Sequence, residues 1–114
     1  MQKASKLLRV YTDESAFFGD QRVFEFIPEL ARQQKLAGVT VLEAVLGFGR
    51  SAHLHRKHAL ENDRAVVIEI IDDEQKLRDF AAQLAEIPDI GLITLEAVDI
   101  LGGKSAAESP DVQS

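Results

Sequence analysis

The residues best suited to chemistry in this 114-residue chain fall in one stretch, from Gly47 to Arg64. Gly47-Phe48-Gly49-Arg50 sets two glycines around an aromatic residue and follows them with a guanidinium. Glycine admits backbone conformations closed to other residues and lets a ligand approach the main chain. N–H groups in such a turn cradle phosphate oxygens, and Arg50 can add a charge-assisted, bidentate bond. The bland alternative is that the motif only ends a strand, with Phe48 buried against a neighbour. Three histidines follow, His53, His55 and His58, interleaved with Arg56 and Lys57. In an extended segment His53 and His55 share a side; if Ser51 caps a short helix, His55 and His58 lie one turn apart. Either pair could offer neutral imidazoles to a divalent metal. No carboxylate stands in good register with them, however, and Arg56 and Lys57 repel a cation, so the metal-site expectation is none. Protonation near the ordinary histidine pKa of ~6.5 would add positive charge and make anion or partner binding sensitive to pH.

Charge singles out the same stretch. Residues 50–64 carry Arg50, Arg56, Lys57 and Arg64 against Glu61 and Asp63, a balance of 4 − 2 = +2. The whole chain has 13 Lys+Arg and 19 Asp+Glu, so the rest holds 9 − 17 = −8. A short basic segment on an acidic body attracts anions, although a solvated loop gives the same count. The net charge of −6 argues against nonspecific nucleic-acid binding, which needs many cations on phosphate. Without cysteine there is no disulfide frame, thiolate zinc site or cysteine nucleophile. Met1 to Lys6 is polar, unlike a signal peptide, and no apolar run approaches the ~20 residues that span a bilayer. A cytoplasmic protein of one domain is expected.

Catalysis finds little support. No Ser-His-Asp grouping stands out, and Asp72-Asp73 reads as a helix cap beside the positive end of a helix dipole. An acylphosphatase-like anion loop after the first strand is contradicted by the acidic Asp13-Glu14-Ser15. The expected class is not an enzyme, and no cofactor is required.

The elements that must position these residues follow in a clear order. Leu7 to Thr12 alternates as a first strand. Asp13 to Gln21 reads as a turn-prone connection with Phe17 and Phe18 exposed. Val23, Phe24, Ile27, Leu30 and Ala31 recur at helical spacing within Arg22 to Leu36. Pro28 interrupts that pattern, as a kink or as a mark of a start near Ile27, and Gly38 supplies the stop. Val39 to Leu46 is a second strand and Ala65 to Ile71 a third. Asp72 is expected to cap a second helix, with Gln75 at capping-box spacing. Leu77, Phe80, Ala81, Leu84 and Ile87 form its buried stripe, and Leu92 to Leu101 is the last strand.

The order β-α-β-β-α-β predicts an α+β, ferredoxin-like split βαβ domain: a four-stranded antiparallel sheet with both helices on one face. Residues 7–101 form this domain, 1–6 an N-terminal extension and 102–114 a flexible tail. The open face should then be polar at alternate positions. Instead the second strand sets Val39 and Val41 to one side and Leu42, Ala44 and Leu46 to the other. The third sets Val66, Ile68 and Ile70 to one side and Val67 and Ile71 to the other, with only Glu69 polar, so two helices cannot cover both faces. A monomer rarely leaves such a face uncovered, so another subunit is expected there.

Gly38-Val39-Thr40-Val41 running into Gly47-Phe48-Gly49-Arg50 resembles the corresponding strand of PII signalling proteins. One extra residue between the two halves predicts a bulge or a shifted register. The stretches Leu36 to Val41, Gly47 to Gly49 and Val66 to Asp72 are together similar to the small PII-like proteins catalogued as a domain of unknown function. The resemblance implies a homotrimer whose open sheet faces line a central barrel. It also implies an adenine nucleotide or other small anion between subunits, with Thr40, Gly47, Phe48, Gly49, Arg50 and Lys104 as candidate contacts. The 50–64 segment, with His53, His55, Arg56, Lys57, His58 and Arg64, takes the place of the effector loop, which implies a partner such as a membrane transporter or channel. Two departures stand out. Ala85 to Gly91, where PII proteins carry a glycine- and lysine-rich phosphate loop, is acidic, and only Lys104 follows the last strand where they carry arginines. Each charge-assisted contact so lost is worth about 1.5–3 kcal/mol, which favours a monophosphate, a cyclic nucleotide or another small anion over tightly bound ATP. The alternative functions are a metal- or anion-binding trimer using the histidines, or a structural interaction module.

Overall fold

The computed structural model describes residues 5–44, 64–88 and 90–103. Alternation in the first strand, β1 (Ser5–Asp13), sends Leu8, Val10 and Thr12 to one side, all buried, and Arg9 and Tyr11 to the other. A short hairpin follows, β2 (Phe17–Phe18) and β3 (Gln21–Arg22), turning at Gly19 with φ +67°. Then come α1 (Val23–Gln33), β4 (Thr40–Glu43), β5 (Ala65–Asp73), α2 (Glu74–Leu84) and β6 (Ile93–Ala97). The main sheet has the order β4-β5-β1-β6 with every neighbouring pair antiparallel. This is the expected split βαβ arrangement, with the small hairpin inserted before α1.

Both helices lie on one face. Val23, Ile27 and Ala31 of α1, and Leu77, Phe80 and Leu84 of α2, recur three or four residues apart and are fully enclosed. They meet Leu8, Val10, Val66, Ile68 and Ile70 from the two central strands in a single core. Each of these Val, Leu, Ile and Phe side chains contributes about 1.5–3 kcal/mol on burial, offset by ordering entropy.

Four local expectations need correction. The stretch from Asp13 to Gln21 is not only a connection, because Phe17 pairs with Arg22 and Phe18 with Gln21. Phe18 also lies 5.1 Å from the Phe26 ring, and the Arg22 guanidinium stands 5.0 Å over Phe17. Helix α1 begins at Val23 and runs through Pro28. Its stop is Lys35 at φ +59°, not Gly38: Lys35 N–H donates to Arg32 O and Leu36 N–H to Ala31 O, both at 3.0 Å. That reciprocal pair is a Schellman closure, and its two hydrogen bonds hold a lysine where glycine is usual. The cap of α2 is Asp73, whose carboxylate accepts from Lys76 N–H at 3.3 Å. Asp72 is buried instead and accepts from Ala37 N–H at 2.8 Å and Asp73 N–H at 2.6 Å. Finally, the last strand is shorter than Leu92–Leu101, spanning Ile93–Ala97.

Candidate functional site

Of the candidate ligand contacts, the structure describes Thr40; Gly47, Phe48, Gly49, Arg50 and Lys104 lie outside the described residues, as do His53, His55, Arg56, Lys57 and His58. Thr40 opens the edge strand β4, opposite Glu69 of β5, and is exposed. Burial within its own subunit therefore does not explain this threonine. Its approach is fixed from beneath: Asp72, at the end of β5, holds the Ala37 N–H and so anchors the segment that turns α1 into β4. A charge-assisted bond to a backbone N–H is a firm tether for a short connection.

Arg64 stands where the chain returns to the sheet. Its Nε lies 3.4 Å from Glu43 Oε2, and its carbonyl accepts from Glu14 N–H at 3.0 Å. Ala44 N–H donates to Ala65 O at 2.8 Å. The two chain ends that bracket residues 45–63 are therefore held side by side by one ladder bond and one ion pair. Arg64 belongs to the root of the segment rather than to its reach.

The open face of the sheet carries a feature that sequence spacing did not reveal. Thr40, Glu69, Arg9 and Thr94 stand in one row across all four strands. Arg9 Nε donates to Glu69 Oε2 at 2.9 Å, and its second arm reaches Glu96 Oε1 at 3.0 Å. The Glu69 hydrogen bond raises the Arg9 pKa above its ordinary value, burial opposes this, and the Glu96 charge adds to it. On either side of this polar row lie apolar groups: Tyr11, Leu42 and Val67 on one flank, Leu7 and Ile71 on the other. Tyr11, Leu42 and Ile71 are each about two-fifths exposed, so the apolar open face read from the strands is present, crossed by one ionic stripe.

The segment after α2 takes a different role from a phosphate loop. Ile87 and Ile90 are buried in the core. Gly91, at φ +92°, crosses so close to β1 that a Cβ would sit 1.9 Å from Tyr11 O. Its neighbour Leu92 accepts the Tyr11 N–H at 2.8 Å. This backbone is committed to packing. Ser15, just after β1, is likewise engaged: its N–H and Oγ both donate to Asp13 Oδ1, at 2.8 and 2.7 Å. Among the described residues no three His, Asp or Glu side chains converge as a metal site, and no helix is long and apolar enough to cross a membrane.

An antiparallel sheet in this strand order, with two helices on one face, defines a ferredoxin-like split βαβ fold. Solved structures share it. The B. subtilis GlnK–ATP complex superposes with a TM-score of 0.55 at 12% identity, covering 86% of this chain and 84% of that one. CutA1 from a psychrotrophic Shewanella sp. SIB1 gives a TM-score of 0.51 at 15% identity, covering 99% and 92%. The chain belongs to the DUF190 family, described as Uncharacterized ACR, COG1993, whose model matches residues 5–100. A UPF0166 protein of Aquifex aeolicus (strain VF5) is 35% identical over 98 residues, which cover 84% of this chain and 92% of the relative.

Proposed function

We propose that this chain is a non-catalytic, PII-like regulatory protein of the cytoplasm that binds a small anionic ligand between the subunits of a homotrimer. The ligand is an adenine nucleotide, with a monophosphate or cyclic nucleotide favoured over ATP. The observation that carries this reading is the placement of Thr40: exposed, on the outermost strand, in the strand that leads directly to Gly47-Phe48-Gly49-Arg50. There its hydroxyl can meet an adenine edge while glycine N–H groups and Arg50 meet phosphate. The fold is shared with a GlnK solved with ATP, which supports the ligand class. The packed residues Ile87, Ile90 and Gly91 support the smaller phosphate, because the segment that would grip a polyphosphate is spent on the core. Residues 50–64, rooted by the Arg64–Glu43 pair, act on a partner such as a membrane transporter or channel.

A thermal-shift screen against AMP, cyclic AMP, ADP, ATP and inorganic phosphate tests the ligand. A nucleotide at 100 times its Kd adds about 2.7 kcal/mol of stability, and Arg50→Ala and Thr40→Ala should each weaken it. Absence of any nucleotide shift, or binding unchanged in both variants, overturns the reading.

A further inference from the structure

Two of the six phenylalanines, Phe17 and Phe18, stand on a projection outside the core. β2 and β3 form a sheet of their own, apart from the main one. Gly19, at φ +67°, opens a two-residue turn with Asp20, and glycine in that first place suits a tight hairpin. A two-stranded hairpin is marginal alone, and this one is braced at its base. Val23 N–H donates to Ala16 O at 2.8 Å. The Arg22 guanidinium donates to Glu14 O while lying 5.0 Å over the Phe17 ring. Phe18 leans on Phe26 of α1, with ring centroids 5.1 Å apart. This bracing holds the ribbon without hiding it, since Phe17 is 51% exposed and Phe18 40%.

The aromatic pair adjoins the root of residues 45–63. Glu14, whose carbonyl holds Arg22, donates its own N–H to Arg64 O at 3.0 Å, and Arg64 pairs with Glu43. The end of β4, the start of β5 and the base of the hairpin therefore share one end of the sheet. Charge decides what fits there. Residues 13–29 carry Asp13, Glu14, Asp20, Glu25 and Glu29 against Arg22, a balance of 1 − 5 = −4. Asp20 at the hairpin tip and Glu25 and Glu29 along α1 are exposed. Glu29 follows Phe26 by three residues and so lies on its flank of the helix. Arg22, the one cation of this stretch, is already engaged by Phe17 and Glu14 O. Exposed rings within an acidic rim disfavour an anionic lipid surface and suit an apolar segment that carries Lys or Arg. Short cytoplasmic loops of membrane proteins have that excess of Lys and Arg.

We propose that the β2–β3 hairpin docks an apolar and basic segment of the partner protein, with Phe17 and Phe18 as anchors and Asp20, Glu25 and Glu29 as the rim. Resting on the regulatory reading, this surface adds a second contact beside the root of residues 50–64. The probe is a fluorescent amphipathic peptide of leucine and lysine, compared with a leucine and glutamate peptide of the same pattern and with phosphatidylglycerol vesicles. Polarisation should show the lysine peptide bound and the glutamate peptide free. Phe17→Ser and Asp20→Lys, both at exposed positions, should each weaken binding about tenfold, with the unfolding midpoint and the size by light scattering unchanged. No binding of the lysine peptide, affinity indifferent to both variants, or equal binding of the glutamate peptide overturns the docking surface. Vesicle binding that Phe17→Ser abolishes also overturns it, in favour of a lipid target. A wild-type oligomer that Phe17→Ser dissociates overturns it too, by placing the ring between subunits. Nucleotide thermal shifts in the same samples keep the two readings apart. No shift in the wild type removes the regulatory reading, whereas a shift that persists while the peptide is ignored removes the docking surface alone.

Discussion

Arg9 clasps Glu69 at 2.9 Å across the centre of the open sheet face, sixty residues apart in sequence and directly opposite in register. The same guanidinium holds Glu96 on the other flank, so one cation balances two carboxylates. In an isolated subunit this cluster faces solvent, where ion pairs contribute little and salt screens them. Within a subunit interface, a lost partner leaves carboxylates without compensation. Arg9→Ala should therefore change the unfolding midpoint of dilute monomer only slightly and weaken the oligomer strongly. Sedimentation at low and high salt checks this; an oligomer indifferent to Arg9→Ala would place the stripe outside any interface.

Acid should act through the start of α2. The hydrogen bond from Arg78, 2.7 Å from Glu74 Oε2, holds the Glu74 carboxyl below its ordinary pKa of 4.5, with burial opposing and Lys6 assisting. A depressed folded-state pKa means the contribution is complete above the unfolded value and lost as pH falls through the folded one. Urea midpoints measured downward from pH 7 should hold to about 4.5 and then fall. Glu74→Gln should lower the plateau and flatten the fall below it.

Gly91 and Gly38 should respond oppositely to one added methyl. At Gly91 the new Cβ would meet Tyr11 O at 1.9 Å, at a φ of +92° that side chains rarely adopt. Relief requires breaking the Tyr11–Leu92 ladder bond, so Gly91→Ala should cost about 3 kcal/mol or more in urea denaturation. At Gly38 nothing lies within 4 Å of the added carbon. Gly38→Ala should be neutral or stabilising by about 0.5 kcal/mol, through the unfolded chain.

Thr12 carries a buried hydroxyl with no hydrogen-bond partner among the described residues. It sits on the helix side of β1, opposite Val66. An unmet hydroxyl costs about 1–3 kcal/mol, and valine has nearly the same shape. Thr12→Val should raise stability by about 1 kcal/mol, whereas Thr12→Ser, which keeps the hydroxyl and removes a methyl, should lower it. A loss in Thr12→Val would show that the hydroxyl is satisfied in solution.

What the sequence made legible was set by local pattern. The stripe of Leu77, Phe80 and Leu84 and the alternation of Val66, Ile68 and Ile70 state which faces are buried, and from them the strand order and the two-layer fold follow. Where two neighbours could do the same job, pattern failed. Asp73 caps α2 because Asp72 points inward on the alternating strand, and Lys35 closes α1 because hydrogen bonds outweigh its strained backbone. The hairpin at Phe17 and Phe18 escaped notice because two-residue strands leave no period to read. The Arg9–Glu69 pair escaped because it depends on register, not spacing. Of the candidate site, Thr40 and Arg64 are placed on the edge strand and at the segment root.

Asp72 couples the fold to that site. Its carboxylate accepts Ala37 N–H with Oδ2 and Asp73 N–H with Oδ1, joining the approach to β4 to the start of α2. A hydrogen bond to a charged acceptor is worth about 1.5–3 kcal/mol. Asp72→Ala strips both and leaves two N–H groups to find water, so a loss of about 2–4 kcal/mol is expected in urea denaturation. Asp72→Asn keeps one good acceptor and should lose roughly half as much. The functional consequence separates this residue from an ordinary helix cap. Ala37 lies three residues before Thr40, so freeing its N–H loosens the edge strand that presents the threonine. Nucleotide affinity of folded Asp72→Asn should therefore fall several-fold, while Asp73→Asn, which weakens only the α2 cap, should leave affinity unchanged. Equal effects from the two variants would mean that Asp72 acts through global stability alone and not through the strand carrying Thr40.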